Sequence, residues 1–259
     1  SIIILERGSK HILEQKRILE SIPSLKGKKP VPDINVRREL KGYELADYIA
    51  VASQHVVDSF LIHNYPQERL FKNPYGVDLS MFSRLPNNEK KYDFIMVGNW
   101  SYQKGCDLII ESVRKTRYTF LHVGRIADLD FPQEARFTHV DAVDQSKLIE
   151  YYNQAKIFVL PSRQDGFGMV LSQALACNLP IIGSKDCGAP DLQQMVEDPQ
   201  FITLIEDYTS DALIKAMNQT MKNCESLNGK TYAGSAIENL TWQAYGKRYA
   251  AFLRSIIRK

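Results

Sequence analysis

Residues 156–176 read Lys-Ile-Phe-Val-Leu-Pro-Ser-Arg-Gln-Asp-Gly-Phe-Gly-Met-Val-Leu-Ser-Gln-Ala-Leu-Ala. The apolar run Ile157–Leu160 has the length and composition of a buried strand. A short loop follows, with glycines at 166 and 168. Met169, Val170, Leu171, Ala174 and Leu175 then recur at helical spacing. A strand, a glycine loop and a helix start together make an anion-binding arrangement. The first N–H groups of a helix have no partner within it, and the helix dipole favours negative charge at that end. Glycine at 166 and 168 lets a phosphate or a sugar approach the backbone. Asp165 and Gln173 flank the loop, one before it and one about two turns into the helix.

Outward from this stretch the same alternation repeats. Strands are predicted at 93–98, 118–123, 136–140, 156–160, 180–183 and 201–205. Helices are predicted at 105–114, 145–154, 168–177, 189–197 and 210–223. Such alternation implies a parallel sheet covered on both faces, with ligands at the carboxyl ends of its strands. Gly98, Gly124, Asp141 and the 165–168 loop all follow strand ends, so they converge on one crevice.

Before residue 85 the pattern predicts a strand at 1–5, a helix at 10–21 with Ser9 as its cap, and a Pro-, Lys- and Gly-rich loop at 23–35. A helix at 37–46, a strand at 47–52 and a helix capped by Ser53 and running to His63 follow. The breaker-rich stretch 85–91 marks a boundary by composition. A last helix, 239–257, carries Trp242, Tyr245, Tyr249 and Phe252 at helical spacing, which reads as a packing face.

The chain has 259 residues, 44% of them hydrophobic and 24% charged, and a net charge of +3. That balance argues against a dedicated nucleic-acid binder. Cys106, Cys177, Cys187 and Cys224 lack metal-ligand spacing and read as free thiols in a reducing cytoplasm. His55, His63, His122 and His139 are scattered without such spacing, so no metal site is expected. No apolar stretch approaches a membrane span, and the opening Ser-Ile-Ile-Ile-Leu is too short for a secretory signal. A chain that starts on a strand reads as a fragment of a larger architecture.

The segment Asp165-Gly-Phe-Gly-x4-Gln173 resembles the Glu-x7-Glu motif of retaining GT-B glycosyltransferases of family 4, also called group 1. Asn73-Pro-Tyr-Gly-Val-Asp78 is similar to that family's interdomain segment. Val97-Gly-Asn-Trp-Ser-Tyr-Gln-Lys-Gly105 is similar to its Gly-Arg…Lys-Gly motif. The segment 46–53 looks like the last strand of its acceptor-side domain, and the Thr241-Trp242 helix like the one that crosses back to the first domain. The resemblance implies an α/β, GT-B type fold. Residues 1–77 would be a partial acceptor-side domain, 78–238 a Rossmann-like domain for a nucleotide sugar, and 239–259 the returning helix. About 75 residues precede the interdomain segment, roughly half of a usual domain of this kind.

The resemblance also assigns roles. Lys104 would neutralise the leaving diphosphate, so that transfer needs no divalent metal and no cofactor beyond the nucleotide sugar itself, with UDP or GDP sugars expected. Asp165, one methylene shorter than the family's Glu, would orient the donor sugar. Gln173, which can still bond hydroxyls but carries no charge, would hold the ribose. The backbone of Gly166, Phe167, Gly168, Met169 and Val170 would hold the sugar and diphosphate. Asn99 stands where the family often has a second cation, and Arg125 and Arg163 are the candidates to replace it. The base would lie near Gly124–Arg125 and Asp141. Arg7 and His11, in a polar cluster at a strand end, are candidates for acceptor or phosphate, against the plainer reading of a helix cap.

The implied activity is transfer of a sugar to a glycan or a lipid-linked acceptor with retention, in surface polysaccharide or glycoconjugate synthesis. The implied place is the cytoplasm, with peripheral association at the inner membrane. The alternatives are a catalytically weak nucleotide-sugar-binding module and, further off, a GT-B protein of other chemistry such as sugar-nucleotide epimerisation.

Overall fold

The computed structural model describes residues 1–86, 88–226 and 238–257. The expected span 78–238 and the 85–91 boundary include Asn87, and the former also residues 227–237; these lie outside the described residues.

Two parallel sheets organise the chain, in keeping with the α/β expectation. The first has three strands, β1 (Ile4–Arg7), β2 (Tyr48–Val51) and β3 (Leu70–Lys72), in that order across the sheet. The second has six: β4 (Tyr92–Val97), β5 (Phe120–Val123), β6 (Phe137–Val140), β7 (Ala155–Leu160), β8 (Ile181–Ser184) and β9 (Ile202–Ile205). Their spatial order is β6-β5-β4-β7-β8-β9, every neighbour parallel. Helices connect the strands: α1 (Ile12–Ser21), α2 (Asp33–Leu45) and α3 (Gln54–Ile62) around the first sheet, then α4 (Cys106–Arg114), α5 (Leu148–Asn153), α6 (Met169–Ala176), α7 (Ala189–Gln193) and α8 (Ser210–Ser226) around the second.

The six-strand sheet is buried on both faces, which is why its strands read as continuous apolar runs rather than as alternating ones. Phe94, Ile95, Met96, Ile157, Phe158, Leu160, Ile181 and Ile182 are all excluded from solvent. Each such side chain contributes roughly 1.5–3 kcal/mol of transfer free energy, offset by the ordering of the chain.

The last helix, α9 (Trp242–Ile257), lies on the three-strand sheet. Phe252 stacks on Phe71 of β3, with ring centroids 4.0 Å apart, and meets Tyr48 of β2 edge-on. Arg248 donates to Asn73 Oδ1 at 2.7 Å and to the Pro74 carbonyl at 2.8 Å, and Tyr245 donates to Glu6 at 3.0 Å.

Several local expectations shift. The first strand begins at Ile4, not at Ser1. The cap of α1 is His11, whose Nδ1 accepts from the Leu13 N–H at 3.3 Å; Ser9 instead accepts from Gln164 Nε2 at 2.5 Å. The predicted loop 23–35 gives way to α2 at Asp33, and the helix expected at 189–197 stops at Gln193. β3 went unpredicted: three residues are too few for a period, and what makes them a strand is pairing with β2.

Candidate functional site

Strand order runs outward from β4 in one direction and from β7 in the other. In sheets with such a reversal the usual ligand position is the crevice at the carboxyl ends of the two strands. The loops that follow these two strands, 98–105 and 161–168, are joined to each other. The Arg163 N–H donates to the Gln103 carbonyl at 2.9 Å, and Gln103 Nε2 donates to Gln164 Oε1 at 2.8 Å. Arg163 grips Asp107 through two hydrogen bonds, at 2.6 and 2.8 Å, and donates to the Tyr102 carbonyl at 2.7 Å. Arg163 therefore braces the loops from behind, and its charge is matched by Asp107.

At the mouth of this unit Lys104 Nζ pairs with Asp165 Oδ2. The other oxygen of Asp165 accepts from the Gly166 N–H at 2.8 Å. Both side chains keep some solvent access, at 21% and 15%. Gly168 sits in the left-handed region with φ of 78° and begins α6, so the chain turns from loop to helix without a side-chain penalty. Gly166 is needed for a different reason. A Cβ there would lie 1.9 Å from the Gly8 carbonyl oxygen, so the end of β1 and this loop are in backbone contact.

The remaining predicted donor-side residues are distributed as follows. The Phe167 side chain is buried, and its carbonyl accepts from the Gly188 N–H at 2.7 Å. Met169 is exposed and Val170 half-buried on the first turn of α6. Gln173 is buried, and its Oε1 accepts from the hydroxyl of the fully buried Tyr152 at 2.9 Å. Asn99 is exposed on the loop after β4. Arg125 is exposed after β5, and its side chain forms no hydrogen bond or ion pair with the described residues. Asp141, after β6, faces solvent and lies 3.3 Å from His139 Nε2. His139 meets His122 Nδ1 to Nδ1 at 2.9 Å, and His122 Nε2 reaches the Gly98 carbonyl at 2.8 Å. A carbonyl only accepts, so His122 Nε2 carries the proton. Burial, with a smaller push from His139, outweighs the Gly98 bond and lowers the His122 pKa to about 4, so the ring is neutral at pH 7.

Arg7 and His11 have internal partners. Arg7 donates to the Lys10 carbonyl and to Gln15 Oε1 and lies 3.3 Å from Glu39. The His11 ring stacks on His63 at 4.2 Å and packs on Tyr43 and Phe60. Burial foremost lowers its pKa to about 4. The cap of α1 is thus His11 and not the expected Ser9.

Sequence reasoning missed the residues that tie the two sheets together around the crevice. Lys10 pairs with Asp186 at 2.5 Å, both largely buried. Burial works to raise the Asp186 pKa, but hydrogen bonds from Lys10 and Tyr208 outweigh it and hold the group below the usual carboxylate value. Ser53 was expected to cap α3 with its hydroxyl; it donates instead to the Gly166 carbonyl at 2.5 Å. The cap comes from Asp191, whose oxygens accept from the Gln54 N–H at 3.0 and 3.1 Å while one of them takes Lys72 at 3.0 Å. No local pattern announces these pairs, because the partners lie more than a hundred residues apart. Among the described residues no group of three or more His, Cys, Asp or Glu is placed to hold a metal ion. No described helix is long and apolar enough to cross a membrane.

Comparison with known proteins gives this geometry a setting. Residues 79–234 match the family model described as "Glycosyl transferases group 1". A probable sucrose-phosphate synthase of Thermosipho melanesiensis is 23% identical over 83% of this chain and 56% of its own length. A GDP-mannose-dependent alpha-(1-6)-phosphatidylinositol monomannoside mannosyltransferase of Mycolicibacterium smegmatis is 22% identical over 80% of this chain and 62% of its own. The chain thus spans little more than half the length of these relatives. Among solved structures, the sucrose-phosphate synthase of Thermosynechococcus elongatus superimposes with a TM-score of 0.74 at 18% identity, covering 98% of this chain and 68% of that one. The Anabaena protein HepE, in complex with UDP and glucose, gives 0.74 at 14% identity, covering 98% and 72%.

Proposed function

The chain belongs to the group 1 glycosyl transferases, and on that premise we propose that it binds a nucleotide diphosphate sugar at the Lys104–Asp165 crevice and transfers the sugar to an acceptor hydroxyl. The observation that carries the reading is the meeting of Lys104, Asp165 and the start of α6 at the point where strand order reverses. When the bond between the anomeric carbon and the phosphate oxygen breaks, the electron pair stays on the diphosphate. In this reading Lys104 and the N–H groups opening α6 stabilise that charge. The acceptor oxygen forms the new bond, and its proton leaves with the diphosphate. Asp165, released from Lys104, orients the donor sugar; Gln173 reaches the ribose; Arg125 and Asp141 flank the base.

UDP and GDP are the expected nucleotides. The structural neighbour HepE holds UDP, and the Mycolicibacterium relative is named for GDP-mannose. Retention of configuration, a glycan or lipid-linked acceptor, a role in surface polysaccharide or glycoconjugate synthesis, and action in the cytoplasm or at the inner membrane surface belong to the same proposal. They rest on the likeness of Asp165–Gln173 to the family motif. A second reading, nucleotide-sugar binding with little transfer, is favoured by the pairing of Asp165 with Lys104, which keeps the carboxylate from the donor sugar it would orient.

An assay of nucleotide release from UDP- and GDP-sugars, with and without simple glycan acceptors, separates the two. Release that disappears in Lys104→Ala supports the enzyme. Tight binding without release supports the binding module.

A further inference from the structure

We propose that the cavity between α1 and α2, at the carboxyl end of β1, binds an anionic group, a phosphate or a carboxylate, carried by the acceptor. This rests on the transferase reading above and narrows its acceptor to an acidic one.

The cavity has a volume of about 350 Å³, within the usual range for small-molecule sites. Its polar lining is Arg7, Gln15, Asn35, Arg38 and Glu39, over a floor that includes Ile12 and Val31. Ile12 and Gln15 lie in the first turns of α1, and Asn35, Arg38 and Glu39 in the first turns of α2. Both helices therefore contribute to the wall of the cavity.

The charge balance favours an anion. Glu39 is already taken, by Arg7 at 3.3 Å. Arg7 is held in place, its side chain 12% exposed, by Lys10, Gln15 and Glu39, which leaves one of its five N–H groups for a ligand. Arg38 forms no hydrogen bond or ion pair with the described residues. The cavity therefore offers one fixed and one uncommitted guanidinium, the side chain best suited to phosphate and carboxylate.

Position relates this cavity to the reaction. Arg7 is followed by Gly8, whose carbonyl abuts Gly166 in the donor loop. The cavity wall at Arg7 is thus one residue along the chain from the backbone contact with the donor loop.

Calorimetric titration with glucose 6-phosphate and glucuronate, against neutral glucose, tests this directly. The two anions are expected to bind at least tenfold more tightly than glucose. Arg38→Gln, an exposed substitution that leaves the fold intact, should weaken them at least tenfold, whereas Lys104→Ala should change them less than twofold. Phosphatidylinositol in phosphatidylcholine vesicles forms a second arm. If only vesicles bind, and do so through Arg38, the anionic group is borne by a lipid. Equal binding of glucose, indifference to Arg38→Gln in both arms, or loss only in Lys104→Ala would overturn the proposal. A parallel titration with UDP and GDP keeps this outcome separate: nucleotide binding without anion binding leaves the transferase reading standing and removes the acidic acceptor.

Discussion

Lys104, on the loop after β4, and Asp165, on the loop after β7, neutralise each other across the reversal of strand order. Neither loop alone makes a site; the pairing does. On the proposed reading a donor diphosphate competes with Asp165 for the same ammonium, and the carboxylate stands in for the ligand's charge.

Removing that competitor has a testable consequence. Asp165→Asn leaves Lys104 without its anion, so UDP or GDP without a sugar should bind more tightly, by about three- to tenfold if the released interaction is on the order of 1 kcal/mol. Transfer should fall, because the sugar loses its orienting carboxylate. Unchanged affinity for the bare nucleotide, measured by titration calorimetry, would show that Lys104 does not face it.

Gly166→Ala should be felt throughout the molecule. The new methyl carbon would meet the Gly8 carbonyl at 1.9 Å, so the end of β1 must move away from the donor loop. Overpacking of this kind costs about 1–3 kcal/mol. At roughly 2–4 °C per kcal/mol, the melting temperature should drop by several degrees. A melting temperature within a degree of wild type would mean that the contact yields freely.

Asp191→Ala should loosen the join between the sheets. It removes the cap of α3 and leaves Lys72 without its partner. A lost cap costs about 1 kcal/mol, and the unpaired partner adds to it. Hydrogen exchange should report faster opening at Gln54–Val57 than in wild type, with β4 and β7 unchanged. Equal protection in α3 would contradict the capping role.

Stability should fall as pH drops from about 6.5 towards 4. His11 and His122 have folded-state values of about 4, below the ordinary 6.5, mainly because burial disfavours the charged ring. A lowered folded value means that the unfolded chain takes up the proton first. Their contribution is therefore complete above pH 6.5 and is lost as the pH falls to about 4, at most roughly 3 kcal/mol for each. Asp186 shifts in the same direction and adds its loss at lower pH, as its carboxylate is protonated. Thermal unfolding between pH 7.5 and 4.5 measures this. A flat profile would mean that these rings protonate without strain.

The sequence made the six-strand sheet legible because a parallel sheet buried on both faces writes its strands as apolar runs such as Ile157–Leu160. The glycine loop was legible because Gly166 and Gly168 lie between such a run and a helical period. β3 was not, since Leu70–Lys72 is a strand only through its pairing with β2. The partners of charged groups were not either. Arg163 read as a candidate cation for phosphate, yet Asp107 holds it; Ser53 read as a cap, yet its hydroxyl reaches Gly166. Such choices are made by contacts distant in the chain, where local spacing carries no information.

The central claim is that Lys104 holds a nucleotide diphosphate. Titration calorimetry of wild type and Lys104→Ala with UDP and GDP tests it most directly. One nucleotide should bind wild type, and Lys104→Ala should lose about ten- to a hundredfold in affinity, the size expected for a charge-assisted bond. Equal affinity in both proteins would place the diphosphate elsewhere and leave Lys104 as no more than the partner of Asp165.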